Sequence, residues 1–302
     1  MINDSSIIPK EDESKVMKVL DGVELVGKVN TEDDALLRNV QYAVRQGATQ
    51  VRPQNPNMDR VALVGGGPSL GDPDIQRKLR DLVWSGAKLV TVNGAYNWCI
   101  ERNLQPRTQV VMDAQPHNAR SVEFPVPDCR YLIGSQCHPS VWDTVKNRPV
   151  VFIFHGAEAD GNPIRVFLDE FYRKQWFGVG GGTTVVSRAI SMLRTLGYLR
   201  FDLFGVDSCW MDGKHHAYDQ PENNRDKRRR VTVSPPDHPE LGRDFWCAPW
   251  HMKQAEDFLQ MIRVNGDNFL IHAHGDGMIA HLLRSGADAV IREQDSPSDS
   301  ED

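Results

Sequence analysis

Residues 61–72 read VALVGGGPSLGD. Four apolar residues, Val61 to Val64, run into three glycines. The stretch reads as a strand that ends on a phosphate-cradling turn. The glycines are Gly65, Gly66, Gly67 and Gly71, so the spacing is not the dinucleotide fingerprint GxGxxG. Glycines let a backbone approach a ligand closely, and amides in such a turn bind an anion. Pro68 and Ser69 follow, and Ser69 adds a hydroxyl. Asp72 then suits an N-cap and Pro73 the first helical position. The alternative is a plain strand-to-helix turn with no ligand. Three consecutive glycines cost more entropy than a plain turn requires, which favours a ligand.

The same alternation continues outward. Strand-like runs recur at Lys88–Val92, Gln109–Met112, Tyr131–Ile133, Val150–Phe154, Phe201–Phe204 and Phe269–His272. Helical spacing is found at Asp74–Trp84, Tyr96–Arg102, Pro139–Lys146, Pro163–Tyr172, Thr183–Leu196, Pro249–Val264 and Gly277–Arg284. This order predicts an α/β, Rossmann-like, mostly parallel sheet with helices on both faces. An earlier helix, with Thr31 as N-cap and Gly47 past its end, places its apolar face on Leu36, Leu37, Val40, Ala43 and Val44. It belongs to an N-terminal extension over residues 1–58. The nucleotide-dependent domain covers 59–290. Residues 217–248, polar and rich in proline, read as a lid-like insertion without helix or strand pattern, with a basic run at Lys227–Arg230. Residues 291–302 read as a disordered acidic tail.

Bulk composition narrows the class. The chain has 302 residues, 40% hydrophobic and 25% charged, as in soluble globular proteins. A net charge of -6 gives no support for nucleic-acid binding. No apolar run is long enough to span a membrane, and the first residues lack a signal-peptide pattern. Five widely spaced cysteines without CxxC suit reduced thiols, and the expected location is cytoplasmic.

In open α/β sheets, ligands sit outside the carboxyl ends of the strands, so the residues just after each strand carry the chemistry. Asn93 ends the second strand. It can read a ribose or base edge, or simply occupy a left-handed turn. Asp113 ends the third, followed by Gln115, His117 and Asn118. Its roles are a metal, ribose or substrate contact, or a helix cap. A second glycine loop, Gly178–Gly182, feeds a helix through Thr183 and Thr184, where amides and dipole favour a phosphate. Close packing of small residues is the alternative. Neither loop is a Walker A motif. The segment LFGVDSCWMDGKHHAYD brings Asp207, Asp212, Lys214, His215 and His216 together. Histidine titrates near neutrality and serves as general base or acid. The HxxxH and HxH metal spacings are absent there. His272 and His274 would share a strand face, but two ligands do not make a metal site. Asp276 or His274 is a candidate cap for the last helix.

Together these segments resemble a family. VALVGGGPSL, VTVNGAY, VVMDAQPHN, GGGTTVVSRAISMLRTLGY, FGVDSCWMDGKHHAY and HGDGMIAHLL occur in the order of the 6-hydroxymethylpterin pyrophosphokinase-like family. That superfamily includes the central domain of Maf flagellin glycosyltransferases and is similar to bacterial sialyltransferases. The resemblance spans roughly residues 31–286. It implies nucleotide binding by Gly65, Gly66, Gly67, Pro68, Ser69, Asn93, Gly180, Gly181, Gly182, Thr183 and Thr184; Asp113 joins these candidates as the acid at its strand end. It implies a reaction centre at His216; His215 is the reserve candidate from the same segment, and Asp207 the acid that follows its strand. The acidic Mg²⁺ motif of true pterin pyrophosphokinases is reduced here to the lone Asp113. The expected enzyme is a transferase that takes a sugar from a CMP-linked acidic donor to an unknown acceptor, with no obligatory cofactor. The alternatives are an ATP- and Mg-dependent pyrophosphokinase acting through Asp113 and Asp207, and a non-catalytic nucleotide-binding protein. Arg228–Arg230 would close over an anionic ligand, or remain a solvated charge run.

Overall fold

The structure, a computed structural model, describes residues 20–21, 31–220, 228–265, 269–286 and 288–293. Among the described residues, thirteen strands form two sheets. In chain order they are β1 (Leu20–Asp21), β2 (Thr49–Gln50), β3 (Asn57–Val64), β4 (Lys88–Val92), β5 (Thr108–Val111), β6 (Arg130–Gly134), β7 (Val151–Gly156), β8 (Gly178–Val179), β9 (Tyr198–Phe204), β10 (Arg229–Ser234), β11 (Arg243–Cys247), β12 (Leu270–Ala273) and β13 (Val290–Glu293). The helices are α1 (Asp33–Val44), α2 (Pro73–Trp84), α3 (Ala95–Ile100), α4 (Pro139–Val145), α5 (Pro163–Phe171), α6 (Val185–Thr195), α7 (Pro249–Asn265) and α8 (Met278–Ser285).

The larger sheet runs β12-β9-β3-β4-β5-β6-β7-β2, with β8 beside β7, and every pairing in it is parallel. Parallel strands covered on both faces need apolar side chains in succession. The VALV run meets that need. Val61 and Leu63 join the apolar cluster of α6, α7 and α8, while Ala62 and Val64 join that of α2 and α3. A third cluster packs α1, α4 and α5 against Val111, Tyr131, Ile133 and Ile153. Val40, Ala43 and Val44 of α1 are fully or nearly buried there, so this helix is part of the core around the sheet. Its N-cap is Glu32 rather than Thr31, because the Thr31 hydroxyl accepts a hydrogen bond from Gln115 at 2.8 Å. Asp72 caps α2 as the sequence implies, accepting from the Asp74 amide at 2.7 Å.

The expectation of a patternless insertion over 217–248 is corrected. β10 and β11 pair antiparallel, and β13 adds to β10, with β1 beyond it. The period-2 signal is present in the sequence but lies among prolines and charges. Val231 and Val233 are buried between Arg230 and Thr232, and Phe245 and Cys247 alternate with Asp244 and Trp246. Residues 291–293, placed in a disordered tail, belong to β13, where Ile291 is completely buried. Residues 294–302 and Lys227 lie outside the described residues, as does most of 1–30. All five cysteines are buried and unpaired.

The chain leaves β3 for β4 on one side, and leaves β9 for β12 on the other. The carboxyl ends of β3 and β9 therefore flank the topological switch point, where open α/β sheets bind ligands.

Candidate functional site

A cavity of about 140 Å³ opens at that switch point. Gly66 and Gly67 line it after β3, Asn93 after β4, and Asp207 and Ser208 after β9. His215, His216 and Tyr218 close one side, Thr184 stands at the start of α6, and Trp250 and Gln254 project from α7. The sequence-predicted residues Gly66, Gly67, Asn93, Thr184, Asp207, His215 and His216 thus meet in one cleft. Gly65, Pro68, Ser69, Asp113, Gly180, Gly181, Gly182 and Thr183 are not among its lining.

The first glycine loop owes its composition to close packing as well as to the cavity. A Cβ on Gly65 would lie 2.6 Å from the Gly205 carbonyl oxygen, and one on Gly67 would lie 2.3 Å from Asp207 Oδ2. On Gly66 it would meet Tyr218 Oη at 2.5 Å and the His216 ring at 2.6 Å. Loop amides are also engaged within the protein. Gly65 donates to Phe204 O, Gly67 to Gly205 O, and Ser69 to Asp207 Oδ2. Among the described residues, the Gly66 amide finds no acceptor, while its carbonyl accepts from the Ala217 amide at 3.0 Å.

Asp207 is the carboxylic acid among the residues that line the cleft. It is 2% exposed, and burial pushes its carboxyl up to about 6, against the opposing effect of the Ser69 amide. A group that titrates there can exchange a proton near neutral pH. The two histidines sit in an aromatic cluster. The His215 and His216 rings are 4.7 Å apart edge to face, with Trp210 5.4 Å from His215 and Tyr218 5.7 Å from His216. Below them lies His251, which sequence reasoning did not single out. Burial, then the charges that His216 and His215 would carry, hold it well below the ordinary histidine range. Its Nδ1 accepts from the Ala248 amide at 3.0 Å, which leaves the proton of the neutral ring on Nε2.

Asn93 adopts the left-handed conformation, φ 43°, and also faces the cavity. Its side-chain Oδ1 is buried without a hydrogen-bond partner. The backbone carbonyl of Asn93 is held by Gln109 Nε2 at 3.0 Å, and Gln109 is itself fully buried between Thr91 and Ser121. Both readings of this residue, turn and contact, therefore apply.

The second glycine loop differs from the phosphate cradle that its sequence suggests. Asp257 of α7 occupies the α6 N-terminus. Its Oδ2 accepts from the Thr183 amide at 2.6 Å, the Thr183 hydroxyl at 2.7 Å and the Ser187 hydroxyl at 3.2 Å. Thr184 caps α6 and accepts from Gln254 Nε2 at 3.0 Å, while Ser208 donates to Gln254 Oε1. Helix α7 carries Trp250 and Gln254 to the cleft and Asp257 to Thr183 and Ser187. Its only sequence signal was helical spacing after Pro249, which marks no role.

Other candidates serve the scaffold. Asp113 accepts the Gln115 amide at 3.0 Å within its own turn. His274 meets Asp202 at 2.8 Å, and Arg60 grips the same carboxylate with two nitrogens. Asp276 does not cap the last helix; Gly277 does, because Arg243 and Arg284 hold the Asp276 carboxylate. No described group of three or more histidine, cysteine or acidic side chains is arranged to hold a metal. Asp113, one of the two acids assigned to a magnesium-bound ATP, is not among the lining of the cleft that holds Asp207.

No described helix is long and apolar enough to cross a membrane. No curated protein matches the chain. Among solved structures, the Maf glycosyltransferase of Magnetospirillum magneticum AMB-1 aligns with a TM-score of 0.59 at 16% identity, over 85% of this chain and 38% of that one. The likeness is one of fold, and this chain spans well under half of that protein. A family model described as 6-hydroxymethylpterin diphosphokinase MptE-like matches residues 34–213, more than half of the sequence, and the chain belongs to the MptE-like family.

Proposed function

We propose that the protein is a nucleotide-dependent transferase that moves a sugar from a CMP-linked acidic donor to an acceptor, without an obligatory cofactor. One observation carries the reading: Gly66 after β3, Asn93 after β4, and Asp207 and His216 from the segment after β9 line a single cleft at the switch point. Gly66 has an amide to offer a phosphate oxygen, and Asn93 has a buried Oδ1 to offer a base or ribose donor. In the transfer, the sugar–phosphate C–O bond breaks and a bond to the acceptor oxygen forms. The acceptor proton passes to His216, and CMP leaves with the bonding pair on its phosphate. Asp207, with a carboxyl that titrates near neutrality, is the second proton acceptor of the cleft. The fold likeness to a Maf glycosyltransferase supports sugar transfer in general terms.

Thermal unfolding with CMP, CDP, ATP, and ATP with Mg²⁺ tests this. CMP at about 100 times its Kd is expected to add about 2.7 kcal/mol of stability. His216→Gln is expected to keep CMP binding and lower turnover by about 10²-fold or more. Stabilisation by ATP that requires Mg²⁺, with none by CMP, would replace this reading by the pyrophosphoryl transfer that the family's description suggests. Binding with full turnover in a His215→Ala, His216→Ala double variant would remove the histidines from the mechanism.

A further inference from the structure

The carboxyl edge of the large sheet continues past the cleft to β6 and β7, and a second group of polar side chains meets there. Gly156 ends β7, Gln136 follows β6, Glu158 follows β7, and Arg188 stands near the start of α6. A Cβ on Gly156 would have Arg188 Nη1 at 3.3 Å, Glu158 Oε1 at 3.4 Å and Gln136 Oε1 at 3.9 Å as its nearest neighbours. The missing side chain leaves an open spot walled by a guanidinium, a carboxylate and an amide. All three side chains belong to partly exposed residues, and none of them lines the nucleotide cleft.

These groups do not consume one another. Among the described residues, no ion pair closes between Arg188 and Glu158, although each charge acts on the other. Arg188 gives one Nη1 hydrogen to Val179 O at 2.6 Å and one Nη2 hydrogen to Gly182 O at 3.2 Å. One N–H remains on each of those nitrogens. The charge of Arg188 is answered by Glu158 and Asp257, and Asp33 of α1 adds its own charge beside Glu158. The spot therefore carries no surplus positive charge to draw an anion. A hydroxyl answers both walls, because its oxygen accepts from Arg188 while its proton goes to Glu158. A neighbouring hydroxyl can reach Gln136.

We infer that Gln136, Glu158 and Arg188, around Gly156, form a hydroxyl-binding subsite for a neutral sugar acceptor. This rests on the transferase reading above and deepens it by naming the class of acceptor. The subsite and the cleft share a helix. The Arg188 amide donates to the Thr184 carbonyl at 3.0 Å, and Thr184 lines the cleft, so one turn of α6, about 5.4 Å, links the two. A sugar anchored by Glu158 and Arg188 extends along that turn toward the donor.

The test titrates the full chain by saturation-transfer NMR with the methyl glycosides of glucose, galactose, mannose and N-acetylglucosamine, in the presence of CMP. Thermal unfolding with CMP runs alongside, for the parent and for Glu158→Gln. At least one glycoside is expected to bind the parent, and to bind Glu158→Gln about tenfold more weakly, as the loss of a hydrogen bond to a charged group requires. CMP is expected to stabilise both proteins equally, because Glu158 lies outside the cleft. The subsite is overturned if no glycoside binds the parent, or if folded Glu158→Gln binds it as tightly. Should Glu158→Gln not fold, Gln136→Ala takes its place with the same two outcomes. Stabilisation by CMP without glycoside binding overturns the subsite and leaves the transferase reading standing. Glycoside binding that Glu158→Gln weakens, with no stabilisation by CMP, keeps the sugar subsite and removes the CMP donor.

Discussion

Asp207 concentrates the conflict between stability and chemistry in one side chain. Its carboxyl is held at about 6 in the folded protein by burial, against an ordinary value of 3.8 in the unfolded chain. Between those two values the folded state binds the extra proton, so stability falls as pH rises through the window. Above pH 6 the loss is complete and amounts to about 3 kcal/mol. Asp207→Asn removes the ionisation and keeps an oxygen for the Ser69 amide. The variant is expected to melt at a higher temperature than the parent at pH 8. That advantage should shrink toward pH 5 and vanish below pH 4. A parallel pair of melting curves across pH would contradict the buried, perturbed carboxyl. The position was legible from sequence as an acid after a strand. Its burial was not, because that depends on Gly67 and Gly277, which approach from loops 140 and 70 residues away and allow no side chain between.

Elements were the most legible level, for reasons visible in particular segments. Lys88–Val92 is a strand with the predicted limits, and α2 starts at Pro73 behind the Asp72 cap. These features are local: an apolar run, a cap, a proline. The role of the second glycine loop was not local. Gly178–Gly182 with Thr183 and Thr184 has the composition of a phosphate cradle, yet the partner of its helix is Asp257, whose position in space no spacing rule supplies. The start of α6 therefore depends on α7, which gives a prediction for the cap. Thr184→Ala removes the capping hydroxyl, worth about 1 kcal/mol. It also strands the buried Gln254 amide, which adds about 1–3 kcal/mol. Denaturant unfolding is expected to show the summed loss of more than about 2 kcal/mol, with Thr184→Ser restoring most of it. A loss of only about 1 kcal/mol would mean that Gln254 finds another partner.

At the scale of the whole molecule, the smaller sheet ties distant parts of the chain to the site. β10 and β11 arise in the 217–248 segment, and β13 comes from near the carboxyl end. The Trp210 amide donates to the Trp246 carbonyl at 2.8 Å, which fastens β11 to the loop that carries His215 and His216. Arg228 lies over the Trp210 ring at 5.2 Å, a cation–aromatic contact. Sequence patterning missed this sheet because its strands are short and β13 joins it from far along the chain, as the pairing of Val233 with Ile291 shows. Ile291 is the measure of how firmly that pairing holds. Its side chain is fully buried in the same cluster as Val231, Val233, Phe245 and Met252. Ile291→Ala leaves a cavity there and is expected to cost about 2–5 kcal/mol in denaturant unfolding. Faster amide hydrogen exchange should appear in β10 before it appears in β3, because β3 is flanked on both sides by parallel partners and shares no pairing with β13. Val264→Ala, at a position 63% exposed, should stay within about 0.5 kcal/mol of the parent. Equal losses at Ile291 and Val264 would mean that β13 adds nothing to the core, and the carboxyl-terminal strand would then have no part in holding the histidine loop over the cleft.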